Sequence, residues 1–388
     1  MEKHSAENLR KLFAAGIVVN GDMWFFTSLT NELVSMSLDR GQASYILDIK
    51  GYQPRKDGDT DFLLYEDEKI YKLGTKGEWI LEYSIGENSC RYIETGFRCQ
   101  RKWGNFIALA KWKEDLYIFL RMEEAVFKIN RTTGKSEKVF YHKDGKTKKE
   151  NNFCKSCQTG DVVWLFSGVT KTVFAYHMSR NFCRQYHLAE RIDGCRDVVW
   201  KENKFYILDK QCRVFVWDAN TDRTELVADF KEINAKPDRW GKLVVTDEDY
   251  ILLPYMAEEI LLLERKGEQK KRIYASYPND FKYNAPSDWS KYTRPCEDEY
   301  NYYFPMHAAN YILKIDKKTG NLAWIKMTIM NEDAGFQAYC RESDGVIVEK
   351  IYPLSEYVER IKAESSKKEN RENAVVGKAI WNQIKNAK

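Results

Sequence analysis

Short runs of five or six mostly apolar residues, each closed by a polar turn, recur along this chain from about residue 16 to residue 327. The most complete example is NYYFPMHAANYILKIDKKTGNLAWIKM (301–327). It holds a run (Tyr302, Tyr303, Phe304), a loop (305–310), a second run (311–315), a turn (316–320) and a third run (322–327). Runs this short, rich in aromatic and β-branched residues and bounded by Gly, Pro, Asp and Asn, predict strands. In the turn, Asp316 and Thr319 are placed to bond backbone N–H groups and Gly320 to supply a positive φ, so that Trp324 packs the next strand against its neighbour.

The same unit fits seven places. The runs on either side of its loop read MWFFTS/ELVSMSL (23–38), DFLLY/KIYKLG (61–74), DLYIFL/AVFKIN (115–130), VVWLFS/TVFAYH (162–177), KFYILD/RVFVWD (204–218), YILLP/EILLLE (250–264) and YYFP/YILKID (302–316). Anchors at the residue opening the second turn fall at 37, 74, 130, 177, 218, 264 and 316, a mean repeat of about 46. A further strand precedes most units: GIVVN (16–20), FIALAK (106–111), DVVWK (197–201) and LVVT (243–246), each followed by a tight polar turn such as NGD, KED, KEN or DED. A four-stranded meander has apolar faces it cannot bury alone, and radial stacking of several buries them while leaving only short edges exposed. The predicted fold is therefore all-β, a β-propeller of seven four-stranded blades spanning residues 16–354.

The first two anchor intervals, 37 and 56 residues, leave the boundary at 84–103 poorly placed. FQAYCRESDGVIVEKIYPL (336–354) is one more strand-turn-strand, a closing partial blade or an eighth, so six and eight blades are the alternatives. Residues 1–15 form a short amphipathic segment with Leu9, Leu12 and Phe13 at helical spacing. From 355 to 388 the chain turns charged and helix-favouring. Val376, Ile380 and Ile384 there make one apolar stripe, which predicts a short C-terminal helix packed on the propeller's side or used to engage a partner or a second copy.

The turn Asp316-Lys-Lys-Thr319-Gly320-Asn-Leu-Ala-Trp324 resembles the tryptophan-docking repeat of quinoprotein-type propellers, and Asn130-Arg-Thr-Thr133-Gly134-Lys is similar without the Trp. Val216-Trp217-Asp218 resembles the end of a WD repeat, without its Gly-His companion, and the Gly-Gly pairs of kelch repeats are absent. The resemblance implies architecture alone. Quinoprotein dehydrogenases carry a quinone cofactor and calcium at the axis; no matching site is found in this sequence, so no cofactor is expected.

Composition adds little to this picture. Aromatics at 14%, with 11 Trp and 24 Tyr, suit strands, and a net charge of +4 over 388 residues is too small to imply nucleic acid or a membrane surface. The first residues lack the plan of a signal peptide, because Glu7, Arg10 and Lys11 interrupt any apolar stretch, and no run reaches the ~18–20 apolar residues of a membrane span; the expected location is cytoplasmic. Nine cysteines, an odd number scattered through a large chain, suggest thiols rather than a disulfide framework.

The candidate chemistry lies in the loops that enter the innermost strands. They repeatedly pair a cation with Cys or Trp: Arg98-Cys99-Gln-Arg101-Lys102-Trp103, Cys154-Lys155-Ser-Cys157, Cys195-Arg196-Asp197, Asp238-Arg239-Trp240, Arg294-Pro-Cys296 and Cys340-Arg341. In a propeller these entrances converge on one mouth of the central channel. A cationic ring there would bind a carboxylate, phosphate or acidic peptide, with Trp103 and Trp240 as flat surfaces for a sugar or side chain. The competing reading is that each cation pairs locally or bonds a carbonyl of the next blade. The loops between second and third strands, including His307 and the residues Met122, Met256 and Met306, should share that face.

Cys154-x-x-Cys157 has redox or metal spacing but lacks the second pair that zinc needs, and no nucleophile elbow, phosphate loop or zinc-protease motif is present. The expected function is that of a non-enzymatic propeller binding a peptide, a protein or an anionic or carbohydrate small molecule at Arg101, Lys102, Trp103, Lys155, Arg196, Arg239, Trp240, Arg294, His307 and Arg341. The alternative is a lyase- or glycosidase-type enzyme acting in the same funnel.

Overall fold

A computed structural model describes residues 13–27, 33–46, 49–52, 62–74, 76–99, 106–141, 152–230, 240–255, 259–265, 270–274, 277–281, 291–306, 309–329, 340–343 and 346–349. The chain is a seven-bladed β-propeller in which every blade is a four-stranded antiparallel meander cut from one continuous stretch. From axis to rim, blade 1 runs Phe13–Val19, Asp22–Thr27, Leu33–Ser37 and Gln42–Tyr45, and blade 2 runs Leu63–Glu66, Lys69–Leu73, Trp79–Ser84 and Ser89–Glu94. The innermost strands of blades 3 to 7 are Phe106–Trp112, Phe153–Thr159, Asp197–Lys201, Trp240–Val245 and Cys296–Glu297. The outermost are Ser136–Phe140, Phe182–His187, Arg223–Asp229, Lys270–Tyr274 and Leu322–Lys326.

The period-two pattern explains why the ring closes. In blade 5, Phe205 and Ile207 pack toward blade 4 while Tyr206 and Leu208 pack toward blade 6. In blade 6, Tyr250 and Leu252 face blade 5 while Ile251 and Leu253 face blade 7. Both faces of each sheet are thus apolar, and each fully buried large side chain contributes about 1.5–3 kcal/mol. Among the described residues the core divides into seven clusters, one between each pair of neighbouring blades, the last joining Met23, Phe25 and Met36 of blade 1 to Tyr303 and Ile312 of blade 7.

Closure has a second element. After blade 7 the chain lies along the rim of blade 1, where Thr328 and Ile329 pair in parallel with Gln42 and Ala43. Gly41 makes the close approach possible: its φ is +66°, and a Cβ there would sit 2.0 Å from the Lys326 carbonyl oxygen. The chain leaving blade 1 treats blade 2 alike, with Lys50 paired in parallel to Ser89.

The expected turns are present. The Asp316 carboxylate accepts bonds from the N–H groups of Lys318 (3.0 Å) and Thr319 (2.7 Å), and Asn130 holds Thr132 and Thr133 in the same way (3.2 and 2.9 Å). Trp324 packs against Tyr277, Phe281 and Tyr311. The hairpin turns Asn20-Gly21, Asp67-Glu68 and Glu202-Asn203 have positive φ at both residues, which suits the strand twist.

Blade 2 corrects the sequence reading. DFLLY and KIYKLG supply its first and second strands, not its second and third, and WILEYS and SCRYIE complete it within what looked like an ill-defined boundary. The innermost strand Leu63–Glu66 is only four residues long and half-buried throughout, so its pattern does not differ from that of an inner hairpin partner. The strand-turn-strand near 340–349 joins no blade: Cys340–Ser343 and Val346–Glu349 form a separate two-stranded sheet. The first strand begins at Phe13, inside the segment expected to be helical; residues 1–12 and the expected C-terminal helix lie outside the described residues.

Candidate functional site: the strand-entrance face

The loops entering the innermost strands and those joining second to third strands meet on one face, as the candidate site requires. Arg121 accepts a backbone bond from Phe153 (3.0 Å), Asn152 from Gly168 (2.8 Å), Asp193 from Lys210 (3.1 Å) and Pro305 from Thr293 (2.8 Å).

Beneath that face a polar chain runs across blades 4, 5 and 6. The Lys155 ammonium contacts the Asp197 carboxylate at 2.7 Å, and the other oxygen of Asp197 accepts the Leu243 N–H at 2.9 Å. The Arg196 guanidinium donates to the Trp240 carbonyl at 2.8 Å. Asp197 is buried at 3% exposure. Burial pushes its carboxyl up, but Lys155, Lys242 and the Leu243 N–H together outweigh burial and hold it below the usual carboxylate range. It is a fixed charge, not a proton donor.

The structure thus brings Lys155, Arg196 and the Trp240 backbone together, while using them to bolt blades to one another. The Trp240 ring is not offered to the channel. It is 4% exposed, sits in the cluster between blades 5 and 6, and donates its indole N–H to the Glu259 carbonyl (3.3 Å). Arg294 of blade 7 lies over the ring of Phe62, just ahead of the innermost strand of blade 2, at 4.2 Å. Arg341 pairs through its backbone with Val348 in the separate hairpin. Arg101, Lys102, Trp103, Arg239 and His307 lie outside the described residues. Met306 packs between blades 6 and 7 at 1% exposure.

What the sequence reading did not single out is the rim above the polar chain. Val169, Lys210 and Tyr255, from the second-to-third-strand loops of blades 4, 5 and 6, are all exposed, Val169 at 62% and Tyr255 at 40%. No pattern flagged them, because a single Val or Tyr in a loop has no period.

The opposite face carries a repeated device that was also missed. Tyr71 accepts from Arg131 at 2.7 Å, Tyr117 donates to the Met178 carbonyl at 3.2 Å, and Tyr206 accepts from Arg265 at 2.8 Å. Each joins a second-strand Tyr to the residue just past the third strand of the next blade. Around Arg131, buried Glu82 also binds Lys69 (2.9 Å) and Arg91 (3.0 Å). Burial pushes Glu66 up on this face too, at the exit of the innermost strand of blade 2. Among the described residues no group of three or more His, Cys, Asp or Glu is arranged to hold a metal ion.

No protein-family profile and no characterised protein sequence matches the chain. Solved structures match in shape. The computationally designed protein Ika8 superposes with a TM-score of 0.52 at 13% identity, over 89% of this chain and 98% of its own. PorZ, an essential surface component of the type-IX secretion system of Porphyromonas gingivalis, gives 0.53 at 10%, over 82% of this chain and 38% of its own. YCF48 bound to D1 peptide gives 0.54 at 8%, over 79% and 93%. At such identities the likeness is one of fold alone.

Proposed function

We propose that this protein is a non-enzymatic cytosolic propeller that binds an extended acidic peptide of a partner protein across the strand-entrance face of blades 4 to 6. The observation that carries the reading is the rim itself: an aliphatic side chain (Val169), an ammonium (Lys210) and an aromatic ring (Tyr255) stand exposed on three successive blades. They stand above the Lys155, Arg196 and Lys242 cations. Such a row suits a peptide with a carboxylate between two apolar residues. Arg294 extends the cationic face toward blade 2. A propeller of similar fold, YCF48, is known with a peptide bound, which agrees with this choice. Catalysis is disfavoured because the buried carboxylates of blade 5 on this face, Asp197 and Asp209, are held in ion pairs by Lys155 and Arg213, while Glu66, whose carboxyl burial pushes up, lies on the other face.

The test is an array of acidic peptides probed with the full chain, followed by anisotropy titrations of the bound sequences. Lys210→Glu and Tyr255→Ala should each weaken binding about tenfold, near 1.4 kcal/mol. Lys138→Ala, on the outermost strand of blade 3, should leave it unchanged. Peptides that bind the variants as well as they bind the parent would remove this face from the function.

A further inference from the structure

Two thiols meet between blades 4 and 5, directly under the rim. The Cys154 sulfur donates to the carbonyl of Cys195 at 3.1 Å and to that of Phe166 at 3.4 Å. Cys195 is 3% exposed, its sulfur faces the Asp197 carbonyl at 3.8 Å, and the Cys154 side chain lies close enough to help raise its pKa. Gly168 leaves the space: a Cβ there would lie 3.1 Å from the Cys154 Cβ and 3.5 Å from the Cys195 carbonyl oxygen. A register shift between Phe153 and Lys155 leaves Cys154 without a ladder partner and turns it toward blade 5.

Cys157, the partner that the C-x-x-C spacing suggests, is on the same extended strand. Three residues of strand separate Cα atoms by about 10 Å, beyond the ~7 Å that a disulfide spans. Cys195 is 41 residues away in sequence and in contact in space.

We propose that Cys154 and Cys195 are an oxidisable pair whose disulfide clasps the innermost strand of blade 4 to the entrance of blade 5. The oxidant is a low-molecular-weight disulfide. The Cys154 thiolate attacks one of its sulfurs and expels one thiolate. The Cys195 thiolate then attacks the Cys154 sulfur of the mixed disulfide and expels the second. Two protein thiols and one small disulfide become one protein disulfide and two small thiols, a two-electron exchange in which the two protons of the protein thiols end on the expelled sulfurs.

Burial pushes the Cys195 thiol well up. Its anion is therefore not stabilised in the reduced state, so the clasp forms slowly and persists once formed. Closing a loop of this length should raise the unfolding midpoint by roughly 5 °C in a chain of this size.

The full chain is incubated with graded ratios of oxidised to reduced glutathione, alkylated in acid, digested without reduction and mapped by mass spectrometry. Expected are a linked peptide containing Cys154 and Cys195, the loss of two alkylatable thiols, and a rise in midpoint that a dithiol reverses. Cys157→Ser should behave as the parent does, whereas Cys195→Ser should lose both the linked peptide and the shift. A 154–157 link, a stable glutathione adduct on Cys154, or no change would overturn the proposal. Mapping of the parent chain decides the matter even where a variant folds poorly, and none of these readouts depends on peptide binding.

Discussion

Replacing Lys155 by Met removes the cation that faces buried Asp197 while keeping most of the volume of the side chain. At 2.7 Å and an effective dielectric constant of about 20, the pair attracts by about 6 kcal/mol before desolvation is subtracted. Breaking a buried pair from one side costs about 3–5 kcal/mol. The Lys155 side chain is 26% exposed, and Asp197 keeps the Leu243 N–H and the field of Lys242, so the loss belongs at or below the low end, about 2–3 kcal/mol at pH 7. Urea unfolding of Lys155→Met, Asp197→Asn and the double variant would measure it, with the two changes coupled by more than about 1 kcal/mol.

The pH dependence gives a sharper check. In the parent chain the Asp197 carboxyl is held below its ordinary value, so its contribution is complete above the unfolded pKa and is lost only as pH falls through the depressed folded value. Without Lys155, burial, already the largest single influence, prevails, and the carboxyl rises above its ordinary value. Its charged form then opposes folding at pH 7, and that opposition is relieved as the pH falls. The deficit of Lys155→Met should therefore narrow between pH 7 and pH 5. A deficit that stays constant over that range, or one below about 0.5 kcal/mol, would refute the account of this ion pair.

Gly41→Ala should cost about 2–4 kcal/mol in urea unfolding, because it combines a positive φ with a Cβ driven into the Lys326 carbonyl. Gly21→Ala, also at positive φ but with nothing within 4 Å, should cost only about 1 kcal/mol, and equal losses would deny the rim of blade 1 its part in closure. On the opposite face, the bond from Arg265 pulls Glu202 down to about 2. Glu202 therefore stabilises above the ordinary carboxylate pKa and loses that effect as pH falls from about 4 toward 2. Arg265→Ala should flatten the stability profile in that window, read as thermal midpoints across a pH series; an unchanged slope would assign the acid sensitivity elsewhere.

The architecture was legible because it is written many times. The same alternation appears in all seven blades, and each copy supports the others, so even a mis-registered blade 2 did not hide the ring. With that blade corrected, the third strands end at Ser37, Ser84, Asn130, His177, Asp218, Glu264 and Asp316. The uneven first intervals, 37 and 56 residues, become 47 and 46. The site was less legible because nothing in it repeats. Sequence put Lys155 and Arg196 at strand entrances, where both contact the next blade, yet an Arg in a loop has the same spelling whether its guanidinium meets a ligand or the carbonyl of the next blade. The exposure of Val169 and the burial of Trp240 were equally hidden, since both follow from which way one loop turns.

That ambiguity has a local cause. The innermost strands of blades 1, 3, 4 and 6 break register at their entrance ends, between Phe13 and Gly16, Phe106 and Ala108, Phe153 and Lys155, and Trp240 and Lys242. A bulge drops one residue out of the ladder and turns its backbone or side chain sideways. In blade 6 the bulge drops Gly241, and Trp240 beside it, opposite Pro254, which has no N–H to offer, gives its carbonyl to Arg196; in blade 4 the dropped residue is Cys154, whose sulfur meets the Cys195 carbonyl. The same irregularity thus lies beside two of the contacts that join neighbouring blades. In blade 5, whose innermost strand pairs without a shift, the first residue, Asp197, is instead held by both neighbouring blades. Lys155 and Arg196 of these entrances are taken up by contacts with the next blade, and the side chains that remain on the rim, Val169, Lys210 and Tyr255, come from loops that take no part in those ladders.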